Sequence, residues 1–350
     1  MNIIFAFLSF FCCSCFGQQL SLFKVGFYNV ENLFDAEDHP DFWDEAYTPD
    51  GHYGWTKNHV HQKIGQLVSV IEALNKTAGG PLILLGICEV ENLSLVQQIC
   101  SHPKLQKFGY SYSHYESKDA RGIDVALLYQ KQHFRLTYSQ KYPLKLIDSK
   151  KQIPYYSRDQ LWIGGYFKGE FWHIGVNHWP SRRGGEKRSR GLRQKAAYLQ
   201  RKVIDSLQNL NPSSRILSMG DFNDNPSDKS VQFLTRVEDK SQNSSPLINP
   251  MRPLESPHQG SLAYRDRWFL FDQILYSSSF LKSNGGSFWY RAQVFKPSWL
   301  VTPEGRYRGY PYRTHREGKL LEGFSDHFPV VLLGAIPYTS NSTSSSGYKK

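Results

Sequence analysis

Two rhythms of apolar and polar positions run through this chain. Leu22–Val30, Val125–Tyr129, Phe134–Ser139, Gln160–Phe167 and Phe171–Asn177 are short, apolar-rich runs bounded by polar or glycine residues, and they predict strands. Leu82–Cys88 (LILLGIC) is apolar throughout and predicts a strand covered on both faces. Ile216–Gly220, Phe271–Tyr276 and Phe328–Leu333 complete the strand set. In Lys57–Leu74 the apolar residues Val60, Ile64, Leu67, Val68, Ile71 and Leu74 fall on one helix face, and Leu192–Leu207 predicts a second long helix. Strands joined by short turns such as Lys168-Gly169-Glu170, with helices early and midway, predict two packed sheets with helices outside rather than a repeating βαβ chain. The stretches Asp35–Trp55 and Lys296–Gly323 read as long loops, which often carry function.

The rhythm breaks at six strand ends, always with Asn, Asp, Glu or His. Asn29 ends the first strand, Glu89 follows Leu82–Cys88, and His178 closes Phe171–Asn177. Asp221 and Asn223 follow Ile216–Gly220, Asp272 lies in Phe271–Tyr276, and Ser325-Asp326-His327 leads into the last strand. A polar group interrupting an apolar run is costly if buried unpaired. One such residue reads as a cap or a satisfied core group; six of them make a structural explanation poor. Carboxylates and amides are hard oxygen ligands suited to Mg²⁺, with Mn²⁺ or Ca²⁺ as substitutes, and the lack of Cys or clustered His argues against zinc. Two histidines backed by carboxylates can move protons at neutral pH. The set fits metal-assisted attack of water on phosphorus.

Composition adds direction. A net charge of +11 over 350 residues favours polyanionic partners. Eight Trp, 21 Tyr and 22 Phe are ample for a large core. Ile3–Cys13 is apolar and too short to span a bilayer, and Ser14-Cys15-Phe16-Gly17 follows it, as in an export signal cleaved near Gly17, although the usual Lys or Arg before it is missing. Lipid attachment at Cys15 is the alternative, in a poor context. Residues 18–338 then read as one domain, and Thr339–Lys350 as a disordered polar tail. Cys88 and Cys100, in apolar surroundings, read as buried thiols.

The ordered set from Phe27 to Val331 resembles the endonuclease/exonuclease/phosphatase superfamily, which includes pancreatic-type deoxyribonuclease, abasic-site endonucleases, sphingomyelinases and inositol-polyphosphate phosphatases. The resemblance implies a four-layer α/β sandwich, two mixed sheets flanked by helices. It implies Glu89 as main metal ligand, with Asn29 beside it and Asp326 as the second carboxylate. Asp221 and Asn223 resemble the pair that orients the nucleophile. His327 resembles the histidine that binds phosphate and serves as general base, with Asp272 orienting it. His178 resembles the second histidine of the deoxyribonuclease and sphingomyelinase branches, and Asp124 is the candidate carboxylate for orienting it.

Three basic stretches follow the same logic. Arg182, Arg183 and Arg193 come soon after His178 in a glycine-containing run and are candidates for gripping phosphate, and Arg158, ahead of Gln160–Phe167, resembles the basic residue that faces the phosphate in this superfamily. Arg306–Arg316 interleaves Arg with Tyr and suits either base stacking or loop packing. The resulting expectation is an exported, monomeric, Mg²⁺-dependent nuclease acting on DNA, with no transmembrane anchor and no stable protein partner. The alternative is the same site acting on a lipid head group or a small phosphorylated metabolite, and a catalytically dead binding domain is disfavoured because no histidine or carboxylate is missing.

Overall fold

The computed structural model describes residues 19–148, 151–236, 245–281, 286–316, 318–321 and 323–338. The export segment and the polar tail therefore lie outside the described residues. In chain order the main elements are β1 Leu20–Leu33, α1 Lys57–Lys76, β2 Leu82–Val90, α2 Leu93–Ser101, α3 Pro103–Gln106, β3 Tyr110–His114, β4 Asp124–Gln130, β5 Phe134–Tyr142, β6 Gln160–Phe167, β7 Glu170–His178, α4 Glu186–Leu210, β8 Arg215–Asp221, α5 Lys229–Thr235, β9 Leu247–Ile248, β10 Asp272–Ser277, β11 Phe288–Val294 and β12 Val330–Pro337. One mixed sheet runs β11-β12-β1-β2-β4-β3 and the other β9-β10-β8-β7-β6-β5.

Alternation along each strand sorts the apolar residues into layers. Phe23, Val25 and Phe27 of β1 meet Trp172, Ile174 and Val176 of β7 and Leu217 and Met219 of β8 in the core between the sheets. The opposite face of β1, with Tyr28 and Val30, packs under α1 through Leu67, Val68 and Ile71. Trp162, Ile216 and Leu275 lie under α4, which contributes Ala196, Ala197 and Ile204. Helices, sheet, sheet, helices: the four-layer sandwich expected from the sequence is present.

Local signals account for several joints. Thr56 caps α1 by accepting from the His59 N–H, and His59 Nδ1 accepts in turn from the Thr56 N–H. The β6–β7 turn has Lys168 at φ 45° and Gly169 at φ 84°, the left-handed pair that matches strand twist in a tight hairpin. Elements without a strong pattern of their own, α2, α3, α5, β3, β9 and β11, are additions to the sequence reading. Cys88 and Cys100 are free and buried, as expected.

Candidate active site

The site is built at the ends of the inward-facing files. After Phe23, Val25 and Phe27, the next inward position on β1 is Asn29; after Trp172, Ile174 and Val176 on β7 it is His178. On β8, Leu217 and Met219 lead to Asp221, and on antiparallel β10, Tyr276 and Ile274 lead to Asp272. Register then sets these residues side by side, because Asp221 is the partner of His178 on one flank and of Asp272 on the other. Glu89 reaches the site differently. The β2 register shifts between Cys88 and Val90, and Glu89 takes φ 65°, a bulge that re-aims its side chain. Four of the nine non-glycine residues with positive φ among the described residues are Glu31, Asn32, Glu89 and Asn223, so backbone strain gathers here.

The C-terminal contribution is fastened to the first strand. Ser325 Oγ donates to the Asn29 carbonyl at 2.7 Å and accepts from the His327 N–H at 3.1 Å. His327 Nδ1 donates to Asp272 Oδ2 at 2.6 Å, leaving Nε2 directed at Asp221 Oδ2 (3.9 Å) and Asp326 Oδ1 (4.0 Å). His178 Nε2 is 3.8 Å from both Glu89 Oε1 and Asp221 Oδ2. Asn29 Nδ2 donates to Asp221 Oδ2 at 3.1 Å, and Asn223 N–H to Asp221 Oδ1 at 2.9 Å.

Electrostatics separates the two histidines. Burial alone would push His327 down, but Asp272, with Asp326 and Asp221 behind it, holds its pKa well above the ordinary value. Burial pushes His178 well below that value, and the Arg158 and Arg121 charges add to the shift. Burial and the neighbouring Asp272 charge lift Asp221 to about 7. One imidazole is thus cationic, the other neutral, with a carboxylate between them poised near neutrality.

The donor set fits a hard divalent cation at Glu89. Its Oε2 accepts from the Asn32 N–H at 3.0 Å, while Oε1 has only the neutral His178 Nε2 opposite it. Two other groups bring ligand-type atoms within 4.8 Å of one another, Cys88–His178–Asp221 and Asp221–Asp272–His327. Neither suits Mg²⁺: burial raises the Cys88 thiol well above its ordinary value, and Asp272 is engaged by His327.

The description that matches this sequence, over residues 24–334, is "Endonuclease/Exonuclease/phosphatase family". The chain belongs to this family. Its members are metal-dependent phosphoric ester hydrolases, and so is this enzyme. Among solved structures it is similar to an endonuclease/exonuclease/phosphatase family protein from Bacteroides thetaiotaomicron (TM-score 0.57, 17% identity, covering 92% of this chain and 100% of that one). It is also similar to a mannosyl-6-phosphatase from the same organism (0.53, 17%, 89% and 98%). A third similar structure is TDP2 of D. rerio complexed with single-strand DNA product (0.51, 13%, 90% and 99%). No curated protein sequence matches the chain.

Within this family member several expected contacts are replaced. Asp124 does not orient His178; its Oδ2 lies 3.3 Å from His114 Nε2 on the neighbouring strand, its Oδ1 accepts from the Ser117 N–H, and His178 Nδ1 has no hydrogen-bond partner among the described residues. Arg182 and Arg193 are internal struts rather than phosphate grips. Arg182 Nε donates to the Asn223 carbonyl at 2.8 Å and its Nη2 to Asp224 and Asp228, while Arg193, fully buried, places Nε 2.7 Å from Asp224 Oδ1. Both guanidinium groups are already engaged inside the fold, Arg193 also through Ser189 Oγ and the Glu186 carbonyl. Arg158 is buried, with Nη1 on Asp119 and Nη2 on the Trp179 carbonyl, so it acts on the site through its charge on His178. Arg183 is exposed and makes no ion pair among the described residues.

One supporting network was not foreseen. Arg313 Nε donates to Glu31 Oε1 at 3.1 Å and Nη2 to Asp326 Oδ2 at 3.2 Å, the Thr314 N–H donates to Glu31 Oε2, and buried Lys63 donates to Thr314 Oγ1 beneath. The available signal was Lys63 itself, a charge set among the apolar positions of the α1 inner face.

Proposed function

We propose that the protein is an exported, Mg²⁺-dependent phosphodiesterase that hydrolyses DNA. The row His178–Asp221–Asp272 with His327 closing on it is the observation that carries the reading, since it offers a base, an acid and a cation site around one point. A bound divalent cation at Glu89, with Asn29 and Asp326 contributing, would supply charge neutralisation for the phosphoryl oxygens. Asp221, near neutrality and braced by the amides of Asn29 and Asn223, accepts the proton of the attacking water. His327, kept cationic by Asp272, binds the phosphate oxyanion and gives its Nε2 proton to the leaving oxygen as the P–O bond breaks, which shifts the base role from this histidine to Asp221. His178 Nε2, neutral and 3.8 Å from Glu89 and Asp221, orients the attacking water between them.

DNA is favoured by the net charge of +11 and by the Arg- and Tyr-lined surface beside Asp326. The similarity to a TDP2 structure holding a single-strand DNA product points the same way. The similarity to a mannosyl-6-phosphatase supports a second reading, a small phosphorylated metabolite. A lipid substrate has little behind it: of the aromatic stretches available for membrane contact, Trp289-Tyr290 and Phe295–Trp299, Trp289 packs in the inter-sheet core with Phe23 at 5.2 Å and Trp172 at 5.7 Å, leaving Tyr290 and Trp299 as separate exposed rings. Export rests on the Ile3–Cys13 pattern; among the described residues no helix is long and apolar enough to cross a membrane.

The test is cleavage of supercoiled plasmid by the purified chain from Gln18 onward, with Mg²⁺ or EDTA and with His327→Ala as contaminant control. Nicking lost in EDTA and in the variant establishes the nuclease. An intact plasmid alongside turnover of bis-p-nitrophenyl phosphate moves the substrate to small phosphoesters.

A further inference from the structure

The catalytic row leaves the Arg306–Arg316 segment unexplained. In the fold this segment faces a two-stranded ribbon, Leu262–Tyr264 with Arg267–Phe269, and the two share a cavity of about 360 Å³. The volume falls within the range of small-ligand sites, about 300–1,000 Å³. Arg313 and Asp326 line it, so the cavity adjoins the catalytic centre.

The ribbon turn is held in a demanding conformation. Arg265 has φ 49° and Asp266 φ 58°, two consecutive left-handed residues where Asn-Gly is the usual solution. Tyr310 clasps that turn to the opposite loop: the Asp266 N–H donates to Tyr310 Oη at 2.8 Å, and Tyr310 Oη donates to Asp266 Oδ1 at 2.6 Å. Non-glycine residues persist in such backbone only when their surroundings over-determine them. Here the result is to set Arg265 on the cavity wall.

The charges on this wall are of two kinds. Arg313, like Arg182 and Arg193, is engaged inside the fold, whereas Arg265, Arg306 and Arg316 make no ion pair among the described residues. All three lie over tyrosine rings instead, Arg316 at 4.3 Å and Arg306 at 5.7 Å from the Tyr307 centroid and Arg265 at 5.3 Å from that of Tyr264. Stacking fixes a guanidinium plane while leaving its N–H edges free to donate. The Tyr264 side is also open, at 59% exposure. Free planar cations beside an open aromatic face are the components of single-strand nucleic-acid sites.

We propose that this cavity is a subsite for the nucleotide adjoining the scissile phosphate, with its own phosphate gripped by Arg306 and Arg316 and its base stacked on Tyr264. The proposal rests on the nuclease reading above. A lone phosphomonoester would need neither the extra guanidinium groups nor the flat ring, so the subsite sets a preference for oligonucleotides over small esters.

The experiment compares the wild type with Arg306→Ala/Arg316→Ala and, separately, Tyr264→Ser, a surface change that spares the fold. Each is assayed in Mg²⁺ on a short single-stranded DNA oligonucleotide and on bis-p-nitrophenyl phosphate, which has no flanking nucleotide. The ratio of kcat/KM for oligonucleotide to that for reporter is expected to fall by about ten-fold or more in both variants, mainly through KM. An unchanged ratio with the oligonucleotide still cleaved overturns the subsite and leaves the nuclease reading standing. A wild type that turns over the reporter and no oligonucleotide overturns the nuclease reading, and the nucleotide subsite with it.

Discussion

Replacing Arg193 with Ala separates a structural arginine from a substrate-binding one. In the fold its Nε lies 2.7 Å from Asp224 Oδ1 and its Nη1 donates to Ser189 Oγ at 2.8 Å, with the side chain fully buried. Removing one partner of a buried pair costs about 3–5 kcal/mol. Asp224 keeps Arg182 Nη2 at 2.9 Å and Ser230 Oγ at 2.5 Å, so the lower end, about 3 kcal/mol, is expected. For a chain of this size that corresponds to a fall in Tm of roughly 6 °C, at ~2 °C per kcal/mol. The loss also depends on pH. Burial already raises the Asp224 pKa above its ordinary value, and without Arg193 it rises further. A carboxyl whose folded-state pKa is raised destabilises the fold when ionised, and the penalty fades as pH falls through that pKa. The stability gap between variant and wild type should therefore narrow on going from about pH 8 to about pH 5. Thermal unfolding at several pH values, paired with KM on an oligonucleotide, makes the measurement. An unchanged Tm with a raised KM would refute the reasoning and return Arg193 to the substrate.

Asp272→Asn keeps the size of the group but removes the charge that holds His327 cationic, and kcat/KM should fall by about 10²–10⁴-fold; a fall of less than about three-fold removes Asp272 from the site. Burial pushes His173 down to about 4, so the unfolded chain takes up a proton at a higher pH than the fold does. Stability should therefore drop as pH falls from about 6.5 to about 4, and His173→Gln should flatten that part of the curve in denaturant titrations. Gly220→Ala would place a Cβ 2.4 Å from the Asn177 carbonyl oxygen, beside Asp221, and is expected to cost about 1–3 kcal/mol; an undiminished unfolding midpoint would show that β7 can yield.

Much of the site was legible because strand alternation and chemistry coincide. Asn29, His178, Asp221 and Asp272 continue apolar files to their ends, so a polar residue in each file announces a site at one edge of the core. Pairings across long separations were not legible. A run containing Arg182 and Arg193 reads as a cationic surface until Asp224 and Asp228 are folded onto it. Asp124 found His114 because β3 and β4 are neighbours, and β3 carries too weak an apolar pattern to be read as a strand. Glu31, Lys63 and Arg313 meet only through tertiary structure, and nothing local marks the first and last of them. Strand β11 was obscured by its exposed residues Tyr290 and Arg291, which mask the inward Trp289.

The pairing of β1 with β12 bears on when this enzyme becomes active. β1 is made well before β12, which lies against it from Leu20–Pro337 to Phe27–Val330. Ser325, Asp326 and His327 shortly precede β12, so His327 arrives with the strand that closes the sheet. A chain in which β12 has not yet paired holds the Glu89 and Asp221 parts of the centre without His327. The topology thus couples hydrolytic power to closure of the sheet rather than to the formation of either half of it.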